Sequence, residues 1–120
     1  MKEVKVSFNY KGKKFSFDAE KCGGAKQGLG LMFKPKDTKP LLFDFKKPTN
    51  MALTSLFVFF PFVAVWLDGK NNALAVEKIW PFRFVIQSPK GFVRLLEIPI
   101  NGKYHKKLAS IVDIKRFKKT

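Results

Sequence analysis

The chain opens on an alternation of apolar and polar positions. Val4, Val6 and Phe8 interleave with Glu3, Lys5 and Ser7, the period-2 pattern of a half-buried strand. The stretch KKFSFD, Lys13–Asp18, alternates again about Phe15 and Phe17. The turn-forming NYKG between them predicts an N-terminal hairpin. AEKCGGAKQGLG follows, and its glycines at 23, 24, 28 and 30 leave room for no more than a short helical turn. PLLFDF, Pro40–Phe45, reads as a strand and KKPTN after it as a loop.

Met51–Leu67, MALTSLFVFFPFVAVWL, runs without a charge. A membrane helix needs about 20 apolar residues, and this shorter run carries Pro61 near its middle. A helix lying on a membrane surface shows a polar face, and this run has none. Two core strands, TSLFVFF and FVAVWL, hinged at Pro61, account for it better, since Phe and Val favour strands. Asp68-Gly69 opens a polar turn before ALAVEKI runs back, the clearest hairpin signal in the chain. IWPFRF is a corner around Pro81, and FVRLLEI is a strand ended by Pro99. NGKYHKKLA holds one helical turn, and SIVDIKRF alternates less regularly. About eight short strands joined by polar turns predict a mainly β fold, a compact antiparallel β-barrel or barrel-like sandwich with one or two short helices. Residues 1–117 form one such domain and 118–120 a basic tail.

Several of these segments look familiar in their order: GLMFK at Gly30–Lys34, PLLFDF, FVFFPFVAVWLDG, and RLLEIPING at Arg94–Gly102. They resemble the family called domain of unknown function 192, small archaeal and bacterial proteins. That family carries a Gly-Leu-Met-Phe-Arg box, a Met-Leu-Phe strand, an aliphatic segment ending Pro-x-Asp, a Leu-Asp-x-x-Gly turn and a Leu-Glu-x-Pro-x-Gly box. The resemblance spans about residues 15–117 and implies a barrel-like, mostly β fold, without an activity. Three positions depart from the family pattern. Val63 stands where an Asp usually follows the proline, Leu53-Thr54 replaces an Asn-Thr pair, and Val112 replaces the glycine of a closing Gly-Asp pair. Those polar positions are the ones that would carry shared chemistry.

Charge changes the picture more than composition does. Twenty-four Lys and Arg stand against nine Asp and Glu, a net charge of +15. Even complete pairing of the acids leaves a cationic surplus, which makes the chain attractive to polyanions. The surplus lies at the two ends, +7 over residues 1–47 and +6 over 103–120, around a middle that carries −1 over 48–68. Cys22 is the single cysteine, so an intrachain disulfide is excluded and a reducing compartment is expected. MKEVKVSFNY has no apolar h-region of a secretory signal. The expectation is a cytoplasmic protein without a membrane partner.

Candidate chemistry is sparse. His105, the single histidine, is flanked by lysines in a loop with no orienting partner in sight. Cys22 beside Gly23-Gly24 lacks a CxxC or other nucleophile motif. One His and one Cys cannot assemble a zinc site, and no metal or cofactor is expected. GGAKQGLG lacks the spacing of a phosphate loop; its simpler role is to let Gly30 turn the chain so that Leu31, Met32 and Phe33 enter the core. Glu97 alternates with Leu96 and Ile98, which places it beside Leu95 and Pro99. A buried carboxylate needs hydrogen bonds or a cation, Arg94 and Arg83 being the nearest candidates by type. It reads either as a structural carboxylate or, with Asp113, Gly30 and Met32, as part of a small-ligand pocket.

Three basic clusters stand out: Lys11, Lys13 and Lys14 on a hairpin tip; Lys103, Lys106 and Lys107 in a loop; and Lys115 and Arg116, with Lys118 and Lys119, near the chain end. If the terminal strands meet at a barrel edge, these clusters merge into one positive face. Such a face binds polyanions in a sequence-independent, salt-dependent way, and Tyr10, Tyr104 and Phe117 are placed to stack on single-stranded bases. The sequence therefore favours a non-enzymatic binding module for an acidic partner, nucleic acid or acidic protein. A ligand pocket or accessory enzyme built on Glu97 and Asp113 is the alternative.

Overall fold

The computed structural model describes residues 2–22, 34–35, 37–53, 55, 58–83 and 85–112. Six strands lie in one sheet: β1 (Lys2–Tyr10), β2 (Lys13–Cys22), β3 (Leu41–Thr49), β4 (Phe62–Leu67), β5 (Ala73–Ile79) and β6 (Phe92–Pro99). One helix, α1 (His105–Ala109), follows them. The strand order is β1-β2-β3-β6-β4-β5. At one end of the two edge strands the Asn9 amide donates to the Asn71 carbonyl at 2.9 Å, and Asn9 bridges Asn72. The sheet therefore curls into a half-barrel, the mainly β, barrel-like class that the alternation predicts.

Both predicted hairpins form. β1 and β2 pair from Lys2↔Lys21 to Tyr10↔Lys13, and the two loop residues, Lys11 and Gly12, have φ of 50° and 79°. Positive φ at both central positions fits the right-handed twist of the flanking strands. The β4–β5 turn is organised by Asp68. Its Oδ1 accepts from the amides of Lys70 at 2.8 Å and Asn72 at 2.9 Å, which lets Asn71 adopt a φ of 62°. These bonds hold the Asp68 carboxyl below its usual pKa, the Asn72 amide contributing most.

One pairing departs from the antiparallel expectation: β2 and β3 run parallel, Glu20↔Leu41 to Cys22↔Phe43. A parallel neighbour needs a long crossover, and residues 23–40 supply it. The predicted loop KKPTN is also corrected. β3 continues through it to Thr49, with a register shift between Asp44 and Thr49 and Lys46 at a φ of 66°. The bulge absorbs the residues that looked like a loop.

Among the described residues, the uncharged run holds one strand. FVAVWL is β4, buried at every position because it lies between β6 and β5 and is covered on both faces. Val63, Val65 and Leu67 join Val6, Phe8, Phe17, Leu96 and Ile98 in the concave core. Phe62, Ala64 and Trp66 join Leu41, Phe43, Ile79, Phe92 and Leu95 in a second core on the other side. Burying each such side chain contributes about 1.5–3 kcal/mol before entropy is charged. Of the other predicted strand, Thr54, Leu56 and Phe57 lie outside the described residues, and the described ones among 51–60 form no strand, with Leu53 bridging Ile86. Val58 and Phe60 instead pack into the second core from outside the sheet, the Val58 amide donating to the Ser55 carbonyl at 3.1 Å.

After β6, the Asn101 side chain accepts from the Lys103 and Tyr104 amides at 3.0 and 3.2 Å and turns the chain into α1. The helix drops Leu108, fully buried, into the concave core. The helical turn predicted in NGKYHKKLA is therefore present. Among the described residues no helix is long and apolar enough to cross a membrane. The predicted final strand meets only a turn at Ser110–Val112, and its remainder lies outside the described residues.

Candidate functional site

β2 meets β3 only from Glu20 onward, so the β2 edge before that point has no ladder neighbour in β3. Helix α1 uses that opening. Lys107 donates its ammonium to the Ser16 carbonyl and lies 4.7 Å from the centroid of the Phe17 ring. Tyr104 packs against the same ring at 6.3 Å. A loop far along the chain is thereby pinned to the N-terminal hairpin.

Two adjoining clefts result, each of about 210 Å³. Lys5, Ser16, Phe17, Asp18 and Lys107 line one; Phe17, Asp18, Lys103, Tyr104 and Lys107 line the other. Three cations thus surround one acid, Asp18, which stands opposite Lys5 in the hairpin register. Glu3, nearby, pairs with Lys39. That contact holds the Glu3 carboxyl below its ordinary range, Lys103 adding a smaller pull, and raises Lys39.

The structure brings Lys103 and Lys107 to the hairpin and leaves Lys106 exposed beside them. Lys11, Lys13 and Lys14 are exposed at the tip. Lys13 stands three residues before Ser16, about 10 Å along the strand. Helix α1 thus brings one basic cluster onto the hairpin whose tip carries another. Lys115 and Arg116 lie outside the described residues, as do Gly30, Met32 and Asp113. Tyr10 and Tyr104 are half-buried against the concave core. Lys11 sits 5.3 Å from the Tyr10 ring centroid and Lys103 5.7 Å from that of Tyr104.

Glu97 is 6% exposed, between Leu41 of β3 and Ala64 of β4, on the side the alternation predicts. Neither cleft includes it. Arg94 takes other partners: Nε donates to Asn71 at 2.9 Å, NH2 donates to the Asp68 and Gly69 carbonyls, and NH1 faces Asp44 at 4.0 Å. Arg83 pairs with Glu77 at 3.5 Å. His105 is exposed on α1, and Cys22 is buried at the end of β2. Among the described residues no group of three or more His, Cys, Asp or Glu is placed to hold a metal.

Sequence reasoning missed Lys5 and Asp18 as site residues, although the hairpin register puts them opposite one another. It also missed Ser16, whose carbonyl matters only because the strand edge beside it is open.

Two solved structures share this fold. One is a protein of unknown function from Novosphingobium aromaticivorans DSM 12444, with 17% identity and a TM-score of 0.70 over 87% of this chain and 77% of that one. The other is described as a "putative transcription regulator" from Sinorhizobium meliloti 1021, with 18% identity and a TM-score of 0.71 over 89% and 85%. At these identities the likeness establishes the fold alone. No protein-family model matches the chain, and no curated protein does.

Proposed function

We propose that the chain is a non-enzymatic, cytoplasmic binding module for polyanions, with the nucleic-acid backbone as its partner. The observation that carries this reading is the Lys107 bridge. It assembles Lys5, Lys103 and Lys107 around a cleft with a single acid, beside the exposed lysines of the hairpin tip. The lysines over Tyr10, Tyr104 and Phe17 favour contact with phosphates over base stacking, because each aromatic ring already faces an ammonium. A net charge of +15 adds long-range attraction. A protein of similar fold described as a "putative transcription regulator" is in keeping with this.

Membership of the domain of unknown function 192 family is part of the same proposal. PLLFDF opens β3, FVAVWLDG is β4 with its turn, and RLLEIPING is β6 with the Asn101 turn into α1. Three of the four boxes thus coincide with the central strands and with the turn that launches the helix of the cleft, GLMFK lying outside the described residues but for Lys34.

The test is a titration against duplex DNA, single-stranded RNA and heparin from 50 to 300 mM salt, about the range over which such contacts lose most of their affinity. All three should bind, with log K falling on log salt at about 0.9 per duplex phosphate contacted. Absence of binding at the lowest salt, or a flat dependence, would sink the reading.

A further inference from the structure

The polyanion reading leaves one surface unused. Phe59, Phe82 and Val85 are 58%, 57% and 63% exposed, and Trp80 is 37% exposed. Phe59 and Phe82 meet edge to face at 5.6 Å, so the segments before β4 and after β5 together form an aromatic knob.

Phe82 has a φ of 67°, in the left-handed region where a bulky side chain is an outlier. It follows Pro81, the place where such a turn ordinarily takes Gly or Asn. The fully buried Ser55 locks this conformation. Its Oγ donates to the Trp80 carbonyl at 2.7 Å and accepts from the Arg83 amide at 2.9 Å. Its carbonyl accepts from the Phe82 amide at 2.7 Å. Fold stability alone gives no reason for phenylalanine here, since glycine fits the backbone better and the ring is largely in water. An observed backbone outlier that displays an apolar side chain is a pointer to a contact.

The occupant follows from shape and charge. The knob is made of loop tips, so it suits a surface that yields to it. It projects from the end of the sheet where β4 starts and where β5 and β6 stop. Arg83, paired with Glu77, is in the knob itself, and Lys39, paired with Glu3, and Lys103 stand at the same end of the strands. A second copy would oppose two chains of +15, whereas an anionic lipid surface complements that charge, and Trp is favoured where apolar and polar regions meet. We infer that Phe59, Trp80, Phe82 and Val85 insert into the interfacial layer of an anionic phospholipid bilayer. The expectation of no membrane partner rested on the lack of a spanning or surface helix, and insertion by loop tips needs neither. The inserting residues are not those of the polyanion cleft, with which this end of the sheet shares only Lys103.

The test is cosedimentation of the full chain with vesicles of phosphatidylcholine alone and of phosphatidylcholine mixed with phosphatidylglycerol, read with tryptophan fluorescence. Trp66 is 1% exposed, so a blue shift on adding vesicles reports Trp80. Binding and the shift should appear with the mixed vesicles. Phe82→Gly and Phe82→Asn, which suit the left-handed backbone, should retain or raise the melting temperature while cutting vesicle partitioning about tenfold. Lys107→Ala should weaken DNA binding and leave the Trp80 shift in place. No cosedimentation overturns the inference. So does cosedimentation that Phe82→Gly, Phe82→Asn and Phe59→Ser all leave unchanged, which assigns it to charge alone. Lipid-free dimerisation that the same variants abolish assigns the knob to a second copy and also overturns it.

Discussion

Lys107 and Ser16 are ninety-one positions apart, yet the ammonium of one donates to the carbonyl of the other. The bond is available because that stretch of β2 lacks a neighbour in β3, and the Lys107 stem and charge also cover Phe17. Lys107→Ala therefore removes both a cleft cation and a tie on α1. Stability should fall by about 0.5–1.5 kcal/mol in urea unfolding, the range of one hydrogen bond. The salt slope of DNA affinity should shrink by about one. Lys106→Ala, exposed beside it, should weaken DNA binding without moving the unfolding midpoint. Equal stability loss in both variants would remove the special place given to Lys107.

Arg94 gathers the β4–β5 turn and β3 through Asn71, the Asp68 and Gly69 carbonyls and Asp44. Its planar fork serves several acceptors at once, which a lysine ammonium does not reproduce. Arg94→Lys should cost about 1–2 kcal/mol, and Arg94→Ala at least as much. Hydrogen exchange should show the loss first in the amides of Lys70 and Asn72. If exchange rises uniformly across the sheet instead, Arg94 does not act through the turn.

The two hairpins were legible because turn chemistry and strand alternation are both local. Asn9–Gly12 and Asp68–Asn72 carry the turn residues, and the strands beside them alternate. The β2–β3 pairing was not legible: nothing in Glu20–Cys22 or Leu41–Phe43 marks parallel over antiparallel. Periodicity misled at Val58–Phe60, where Phe59 points out and its neighbours point in. Alternating burial does not require a ladder partner for the amides, and here the Val58 amide donates to the Ser55 carbonyl in a turn. For the site, lysine clusters were visible as composition. That one of them docks on the hairpin depended on α1 finding an open strand edge, a relation between segments that no local pattern encodes.

Asp68 gives the fold an acid-side weakness. Its carboxylate accepts from the Lys70 and Asn72 amides, and its pKa is lowered from an ordinary 3.8. A carboxyl with a depressed folded value binds protons more tightly when unfolded. Its contribution is therefore complete above pH 3.8 and is lost as pH falls through the lower folded value. Glu3, lowered by Lys39, acts in the same direction, while raised Lys39 loses its part only at alkaline pH. Urea midpoints should thus fall on acidification, and Asp68→Ala, already weaker at neutral pH, should show a shallower fall. Parallel curves for the two proteins would mean that Asp68 titrates alike in both states.

Val63 occupies the position where the resembling family usually carries an aspartate, and here it is fully buried. It faces the concave core with Val65, Leu96 and Ile98, and pairs with Ile98 on one side and Lys78 on the other. Lys78 pairs directly with Val63 and so shares its face, but it is half-exposed at the sheet edge and does not remove the cost of burying the carboxyl. An aspartate introduced at this point must either ionise in an apolar interior or stay protonated, and each route costs several kcal/mol. Val63→Asp should therefore lower stability by about 3 kcal/mol or more at neutral pH and recover part of it on mild acidification, as the carboxyl takes up its proton. Val63→Thr, nearly the same size, isolates the polar term and should cost about 1–2 kcal/mol. If Val63→Asp folds as well as the parent at pH 7, the concave core holds a polar partner for the acid, and the loss of shared chemistry inferred from Val63 would no longer follow.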